Sequence, residues 1–208
     1  MIDDISGIVA QKILDAGIIR SEDHDIYYYG LQLVVSTIIK VFGLIFIAVL
    51  FKKVIEAVIF LTVFGFMRIN AGGLHLDTYM KCFIATAASM MLIIWAGSSI
   101  PSYLSFYIIS VALAISFLLI IRYAPVDNPN RTLSKREHGI YRKRSIYAIT
   151  IQIIIIVTAY FINIKLYRYC SIASLSVLFE SLTLLPLASA AGKSKNKMER
   201  RDYNERKA

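Results

Sequence analysis

The sequence predicts an all-α polytopic membrane protein with about six transmembrane helices and an N-terminal amphipathic helix. Hydrophobic residues make up 57% of the 208-residue chain, against about 45–50% in a typical soluble domain. They occur in blocks, and the excess of 23 Lys and Arg over 14 Asp and Glu gathers beside those blocks. This arrangement predicts membrane spans whose basic flanks set topology and contact membrane lipids. Because the basic residues flank membrane segments, we expect no nucleic-acid partner.

The first 30 residues are predicted to form a cytoplasmic N-terminal region with one amphipathic helix. Its apolar positions recur at spacings of three and four: Ile2, Ile5, Val9, Ile13 and Ala16. Its polar side is acidic, whereas helices that lie on anionic lipid are usually basic. Packing against the bundle, a second subunit or a substrate helix is therefore at least as well supported as a lipid-bound position.

Residues 31–191 are predicted to form the membrane domain, followed by a basic cytoplasmic tail at 192–208. Six apolar segments fill this domain, at 31–51, 54–67, 82–97, 103–121, 145–164 and 170–191. A straight span needs about 20 residues. The second and third segments are shorter, so we expect them to tilt, to be partly buried or to be extended by neighbouring residues.

The distribution of Lys and Arg predicts the topology. With six spans, the segments on the side of both termini hold 18 basic residues and the opposite segments hold four. The positive-inside rule then predicts a multi-pass protein with both termini in the cytoplasm. In that reducing compartment Cys82 would remain a thiol.

Three charged residues lie inside apolar segments: Lys40, Glu56 and Glu180. Each would cost roughly 2.5–3.5 kcal/mol or more if it faced lipid. They are expected to face the bundle interior, and we hypothesise that Lys40 pairs with Glu56 or Glu180. A structural pair is the plainer interpretation, and a channel or proton path is the alternative.

A polar stretch at 68–82 contains the candidate chemistry. It holds His75 and Cys82, the general base and thiol nucleophile that a cysteine acyl-transfer enzyme needs. On a straight helix their seven-residue separation would span about 10.5 Å, too far for a hydrogen-bonded pair. The chain must therefore bend, and Gly72-Gly73 permits a turn just upstream. We expect Cys82 in the first turn of the next helix, which favours its thiolate form.

Two motifs carry a resemblance to a known family. The first comprises Arg68, Ala71-Gly72-Gly73, His75 and Cys82. The second is the proline-containing stretch 123–130, followed by a basic run. Together they resemble the accessory gene regulator protein B (AgrB) family, bacterial membrane endopeptidases that process quorum-sensing peptide precursors. The similarity covers roughly residues 5–195.

The resemblance implies a mechanism and a partner. Cys82 would be the nucleophile and His75 the base, with Arg68 and Gly73 in supporting roles. The substrate would be a precursor peptide of the AgrD type, whose acidic tail leaves as Cys82 forms an acyl-thioester. A Cys or Ser of the peptide would then close a thiolactone or lactone ring. The resemblance also makes a homodimer a candidate assembly and the bacterial cell membrane the expected location.

Several roles stay open at this point. Asp77 is either an orienter of His75 or a solvated loop carboxylate or helix cap. The basic run either sets topology alone or binds the acidic tail of the peptide through Arg131, Lys135, Arg136, Arg142, Lys143 and Arg144. The sequence shows no metal-ligand cluster or phosphate loop, so we expect neither metal nor cofactor. The alternative function is a small peptide exporter or channel in which His75 and Cys82 have no catalytic part.

Overall fold

The computed structural model describes residues 2–18, 20, 24–73, 78–126 and 134–185, and all regular structure in these ranges is helical. The helices are α1 (Ile2–Asp15), α2 (His24–Leu50), α3 (Val54–Ala71), α4 (Tyr79–Ser99), α5 (Ser102–Tyr123), α6 (Lys135–Ile162) and α7 (Tyr167–Thr183), with a 3-10 turn at Ile164–Leu166 before α7. The chain forms two compact units, Met1–Lys52 and Lys53–Ala208.

The first unit consists of α1 packed against α2. The predicted N-terminal helix is present, and it ends in a left-handed turn at Gly17, with φ of 70°. There Ile18 N donates to Ile13 O at 3.2 Å, and Gly17 N donates to Leu14 O at 2.9 Å. This Schellman pattern satisfies carbonyls that the end of the helix would leave open.

Five helices of the described residues are long and apolar enough to cross a membrane, namely α2 to α6. The two short predicted segments are extended by residues of the polar stretch: α3 has 18 residues and α4 has 21. Large apolar side chains such as Trp95, Leu118 and Phe161 are 66–70% exposed. Many exposed side chains of this size would be unfavourable in water and suit a lipid-facing surface. The chain is thus an all-α polytopic membrane protein.

Helix α7 lies at the centre of the second unit, where it contacts α3, α4, α5 and α6. It covers part of the sixth predicted segment, but it has 17 residues and many of its buried residues are small serines. Each buried serine hydroxyl donates back to a carbonyl of the preceding turn, as Ser176 Oγ does to Ile172 O at 2.7 Å. Small residues let neighbouring helices approach closely: a Cβ added at Gly97 of α4 would lie 2.6 Å from Ile172 Cγ1.

Helix α6 corrects the expectation of a basic loop up to residue 144. The helix begins at Lys135 and has 28 residues, so it is about 42 Å long at 1.5 Å per residue. Ser134 N donates to Glu137 Oε2 at 2.9 Å, and Glu137 N donates to Ser134 Oγ at 3.3 Å. This capping box starts the helix before the apolar segment. The first ten residues of α6 therefore form a basic helical extension.

The expected pairing of Lys40 with Glu56 or Glu180 would join the two compact units, and it stays a prediction. Glu56 pairs with Lys53, three residues before it on the chain, at 2.9 Å. Glu180 pairs with Arg68 at 3.4 Å. Both carboxylates thus have a cationic partner within the second unit.

Candidate active site

Cys82 lies in the first turn of α4, as predicted. Thr78 caps the helix: its Oγ1 accepts from Lys81 N at 3.4 Å, and its carbonyl accepts from Cys82 N at 3.1 Å. The thiol is partly buried. The positive end of the helix dipole lies within the first turn and favours negative charge there.

A cavity of about 100 Å³ opens beside this thiol. Three helices of the second unit line it at helical spacing: Phe64 and Arg68 on α3, Cys82, Ala85, Thr86 and Ser89 on α4, and Phe179 and Thr183 on α7. The rings of Phe64 and Phe179, 6.1 Å apart, form an apolar wall. The structure therefore brings two sequence-predicted site residues, Arg68 and Cys82, to one small cavity.

The Arg68 guanidinium is held by a polar cluster at the wall of this cavity. Its Nη1 donates to Glu180 Oε1 and Thr183 Oγ1, each at 3.4 Å, and contacts the Gly72 carbonyl at 3.5 Å. The Glu180 side chain is 1% exposed and that of Arg68 is 23% exposed. The Arg68 cation compensates the buried charge at Glu180 Oε1, whereas Oε2 has no hydrogen-bond partner among the described residues.

The Gly72-Gly73 turn rests directly on this cluster. Helix α3 ends at Ala71, and both glycines have positive φ, 77° and 135°. A Cβ at Gly73 would overlap Arg68 Nη1 and lie 2.7 Å from Thr183 Oγ1 and 3.0 Å from Glu180 Oε1. The predicted turn is confirmed, and the second glycine is required by contact as well as by backbone conformation.

His75 and Asp77 lie in 74–77, outside the described residues. Arg131 also lies outside the described residues. The fold-back of His75 onto Cys82 stays a prediction. The chain that carries His75 leaves from Gly73 beside the Arg68 cluster and resumes at Thr78, the cap of the helix that holds Cys82.

The second sequence motif packs against the first. Val126 N donates to Ala71 O at 3.1 Å, and the Val126 carbonyl lies 2.6 Å from where a Cβ of Gly72 would be. On α6, Ser145 Oγ donates to Asn70 O at 2.8 Å. The end of α3, the residues after α5 and the basic extension of α6 therefore meet at one end of the second unit.

Four basic residues of α6 are exposed but do not all share one side: Arg136, Arg142, Lys143 and Arg144. At about 100° per residue, Arg136, Arg142 and Lys143 fall within a sector of roughly 120°. We call these three residues the basic face. Arg144 lies on the other side and stacks over the Tyr141 ring at 5.6 Å. Lys135 is the first residue of the helix.

Sequence reasoning missed the two α7 residues of the site, Glu180 and Thr183. A glutamate within an apolar segment did mark Glu180 as a buried charge. Its partner Arg68 lies 112 positions away. Thr183 gave no signal, because a threonine near the end of an apolar segment is ordinary.

The fold and the cavity define a class: a helical integral membrane protein with a thiol at a helix N-terminus, beside a buried arginine–carboxylate cluster. The family model of AgrB, accessory gene regulator B, matches residues 6–184. The chain belongs to the accessory gene regulator B family.

Similar proteins are known from two clostridial species. An AgrB-like protein of Clostridium perfringens strain SM101 is 25% identical over 161 residues, covering 74% of this chain and 75% of that protein. An AgrB-like protein of Clostridium acetobutylicum is 29% identical over 160 residues, covering 76% and 73%. No solved structure is detectably similar to the chain. Family membership gives the protein a role in accessory gene regulation and quorum-sensing peptide processing.

Proposed function

We propose that the protein is a membrane cysteine endopeptidase that removes the C-terminal tail of an AgrD-type precursor and promotes cyclisation of the remaining peptide. The observation that carries the proposal is the position of Cys82, in the first turn of α4 and in the same cavity as Arg68. The order of the motif supports it, because His75 lies on the short connection between the Arg68 cluster and the cap of α4.

In the first step, the Cys82 thiolate attacks the carbonyl carbon of the bond before the tail, while His75 holds the thiol proton. The carbon–nitrogen bond then breaks, the leaving amine takes the proton from His75, and the acyl group remains on Cys82 as a thioester. Asp77 is the candidate to orient His75, the role that a third group plays in such sites.

In the second step, a thiol or hydroxyl within the peptide attacks the thioester and closes the ring. Its proton passes through His75 to the departing Cys82 sulfur, which restores the enzyme. Exchange of one thioester for another conserves bond energy, so cyclisation needs no other source. Water is the competing nucleophile, and the apolar wall of Phe64 and Phe179 would limit its access.

Arg68 and Gly73 support this chemistry in different ways. The Arg68 guanidinium places a fixed positive charge at the wall of the cavity that holds Cys82. A preorganised donor of this kind stabilises the thiolate and the developing oxyanion without reorganisation. Gly73 lets the backbone pass over the cluster, where a side chain would overlap it.

The basic extension of α6 supports a second element of the proposal, binding of the acidic tail of the precursor. The basic face, with Lys135 at the start of the helix and Arg131 before it, would hold carboxylates of the tail on the cytoplasmic side. This assignment rests on both termini being cytoplasmic, as the distribution of Lys and Arg predicts. At about 42 Å, α6 exceeds a hydrocarbon core of about 30 Å, so its basic end would stand in the headgroup layer or beyond.

The proteolytic step is tested with the two cysteines of the chain. The protein is co-expressed with a candidate precursor, and products are identified by mass spectrometry. Cys82→Ala should abolish the truncated, cyclised product, and Cys170→Ala, which alters a buried cysteine of α7, should retain it. A precursor whose ring-closing residue is alanine should accumulate as a hydroxylamine-sensitive adduct on Cys82. Full activity of Cys82→Ala would instead favour the exporter alternative.

Tail binding is tested by reversing charge on the basic face. The double variant Arg136→Glu/Lys143→Glu should weaken processing of an acidic-tailed precursor and restore part of it when the tail is made basic. The matched control is Lys165→Glu/Arg168→Glu. These two exposed basic residues follow the C-terminal end of α6, one on the 3-10 turn and one at the start of α7. Equal processing by both double variants, at equal membrane levels, would reject the role in tail binding.

A further inference from the structure

We propose that Glu180 is a positioning residue of the Cys82 site, acting through Arg68 on the Gly72-Gly73 turn. The inference deepens the proposed function and rests on it for its catalytic meaning. Its structural content, that Glu180 controls the surroundings of the thiol, stands on the contacts of the second unit alone.

Glu180 is deeply buried in the second unit. Its side chain is 1% exposed on a helix whose other buried residues are small or apolar. Breaking a buried ion pair by removing one partner is strongly destabilising, whereas replacing both by apolar residues is often neutral. A glutamate at this position is therefore a poor choice for stability alone, and its contacts indicate what else it does.

The contacts of the cluster converge on one nitrogen of Arg68. Arg68 Nη1 lies within 3.5 Å of oxygens on Glu180, Thr183 and Gly72. Two of the three acceptors come from α7 and the third from the turn. Glu180 and Thr183, at i and i+3, present their oxygens on the same side of α7. Helix α7 thereby fixes the guanidinium in one orientation, and the guanidinium holds the Gly72 carbonyl.

The Arg68 cluster is connected to the Cys82 thiol through Gly73 and through the shared cavity. Gly73 lies so close that a Cβ would meet Arg68, Thr183 and Glu180 together. From Gly73 the chain continues into 74–77, which contains His75, and then reaches Thr78, the cap beside Cys82. Arg68 and Thr183 also line the cavity that contains Cys82. A change in the Glu180 carboxylate would therefore alter both the hold on the Gly72-Gly73 turn and the charge beside the thiol.

The test measures the reactivity of Cys82 separately from peptide processing. In a Cys170→Ala background Cys82 is the single thiol, so alkylation by iodoacetamide reports on it alone. Glu180→Gln keeps the shape but removes the charge that holds the Arg68 guanidinium, and it should change the alkylation rate of Cys82 about tenfold, since that rate depends on the charge beside the thiol. Processing should fall at least as much. Thr183→Val removes one of the three acceptors and should have a smaller effect of the same sign.

The matched control is Ser176→Ala, a buried α7 residue whose hydroxyl bonds only to Ile172 O among the described contacts. A general loosening of α7 would affect both variants, whereas positioning affects Glu180→Gln alone. Alkylation and processing by Glu180→Gln within twofold of the parent would overturn the inference. If Glu180→Gln does not fold, Glu180→Asp and Thr183→Val decide in the same assay. If the parent processes no peptide but Glu180→Gln still changes the alkylation rate, the proposed function fails and the positioning role stands.

Discussion

Replacement of Gly73 by alanine should inactivate the protein while leaving the bundle folded. The backbone at Gly73 has φ of 135°, a region that residues with a Cβ avoid, and holding one there costs about 1–3 kcal/mol. The added Cβ would also overlap Arg68 Nη1 and lie 2.7 Å from Thr183 Oγ1, and overpacking of this kind costs about 1–3 kcal/mol more. The combined penalty is roughly 2–6 kcal/mol.

The Gly72-Gly73 turn can relieve this strain by moving away from the Arg68 cluster. The strain should then appear as lost activity. At tenfold per about 1.4 kcal/mol, the processing rate should fall by between about 30-fold and 10⁴-fold. The assay compares rates of precursor cleavage in membranes with equal amounts of protein, alongside thermal unfolding in detergent. Gly65→Ala is the control, since nothing lies within 4 Å of a Cβ at that helical position. A Gly73→Ala variant that retains a third or more of the parent rate would refute the reasoning.

Two further predictions concern the fold. Gly97→Ala should lower stability by about 1–3 kcal/mol, because its Cβ would lie 2.6 Å from Ile172 Cγ1 and 3.0 Å from Ile172 N; thermal unfolding in detergent measures this. Gly65→Ala should leave stability unchanged or raise it by up to about 1 kcal/mol, and equal losses in both variants would contradict the packing argument. Ser134→Ala removes the hydroxyl that accepts from Glu137 N at 3.3 Å, so the start of α6 should lose about 1 kcal/mol. Amide hydrogen exchange at 136–140 should then accelerate while the unfolding temperature stays constant; unchanged exchange would show that the cap does not hold this turn.

Local patterns predicted the parts of the site that depend on local chemistry. The helices follow from continuous apolar runs, which fit membrane spans whatever their neighbours are. The turn at Gly72-Gly73 follows from the high cost of glycine in a helix and its tolerance of positive φ. With the turn placed, a helix start near Cys82 was the natural continuation, and α4 begins at Tyr79.

Contacts between distant segments could not be predicted in the same way. Arg68 and Glu180 lie 112 positions apart, and their pairing depends on which faces α3 and α7 present to each other. For this reason the sequence points to Lys40 as readily as to Arg68. The helical extension of α6 is a different case, because Ser134 and Glu137 have the spacing of a capping box. The sequence contains this signal, but the density of basic residues in the same stretch favours a loop.

The composition of α7 has a consequence for how the protein is made. A helix of 17 residues that carries buried serines and Glu180 is a weak candidate to enter a bilayer by itself, since polar and ionisable side chains are costly in hydrocarbon without partners. Its hydroxyls and carboxylate become acceptable once α3, α4 and α5 are in place to surround them. Biosynthesis would therefore add α7 last, into a bundle already inserted. A nascent chain that ends before α7 carries Cys82 but lacks Glu180 and Thr183, so the thiol acquires its finished surroundings only when the whole membrane domain has been translated.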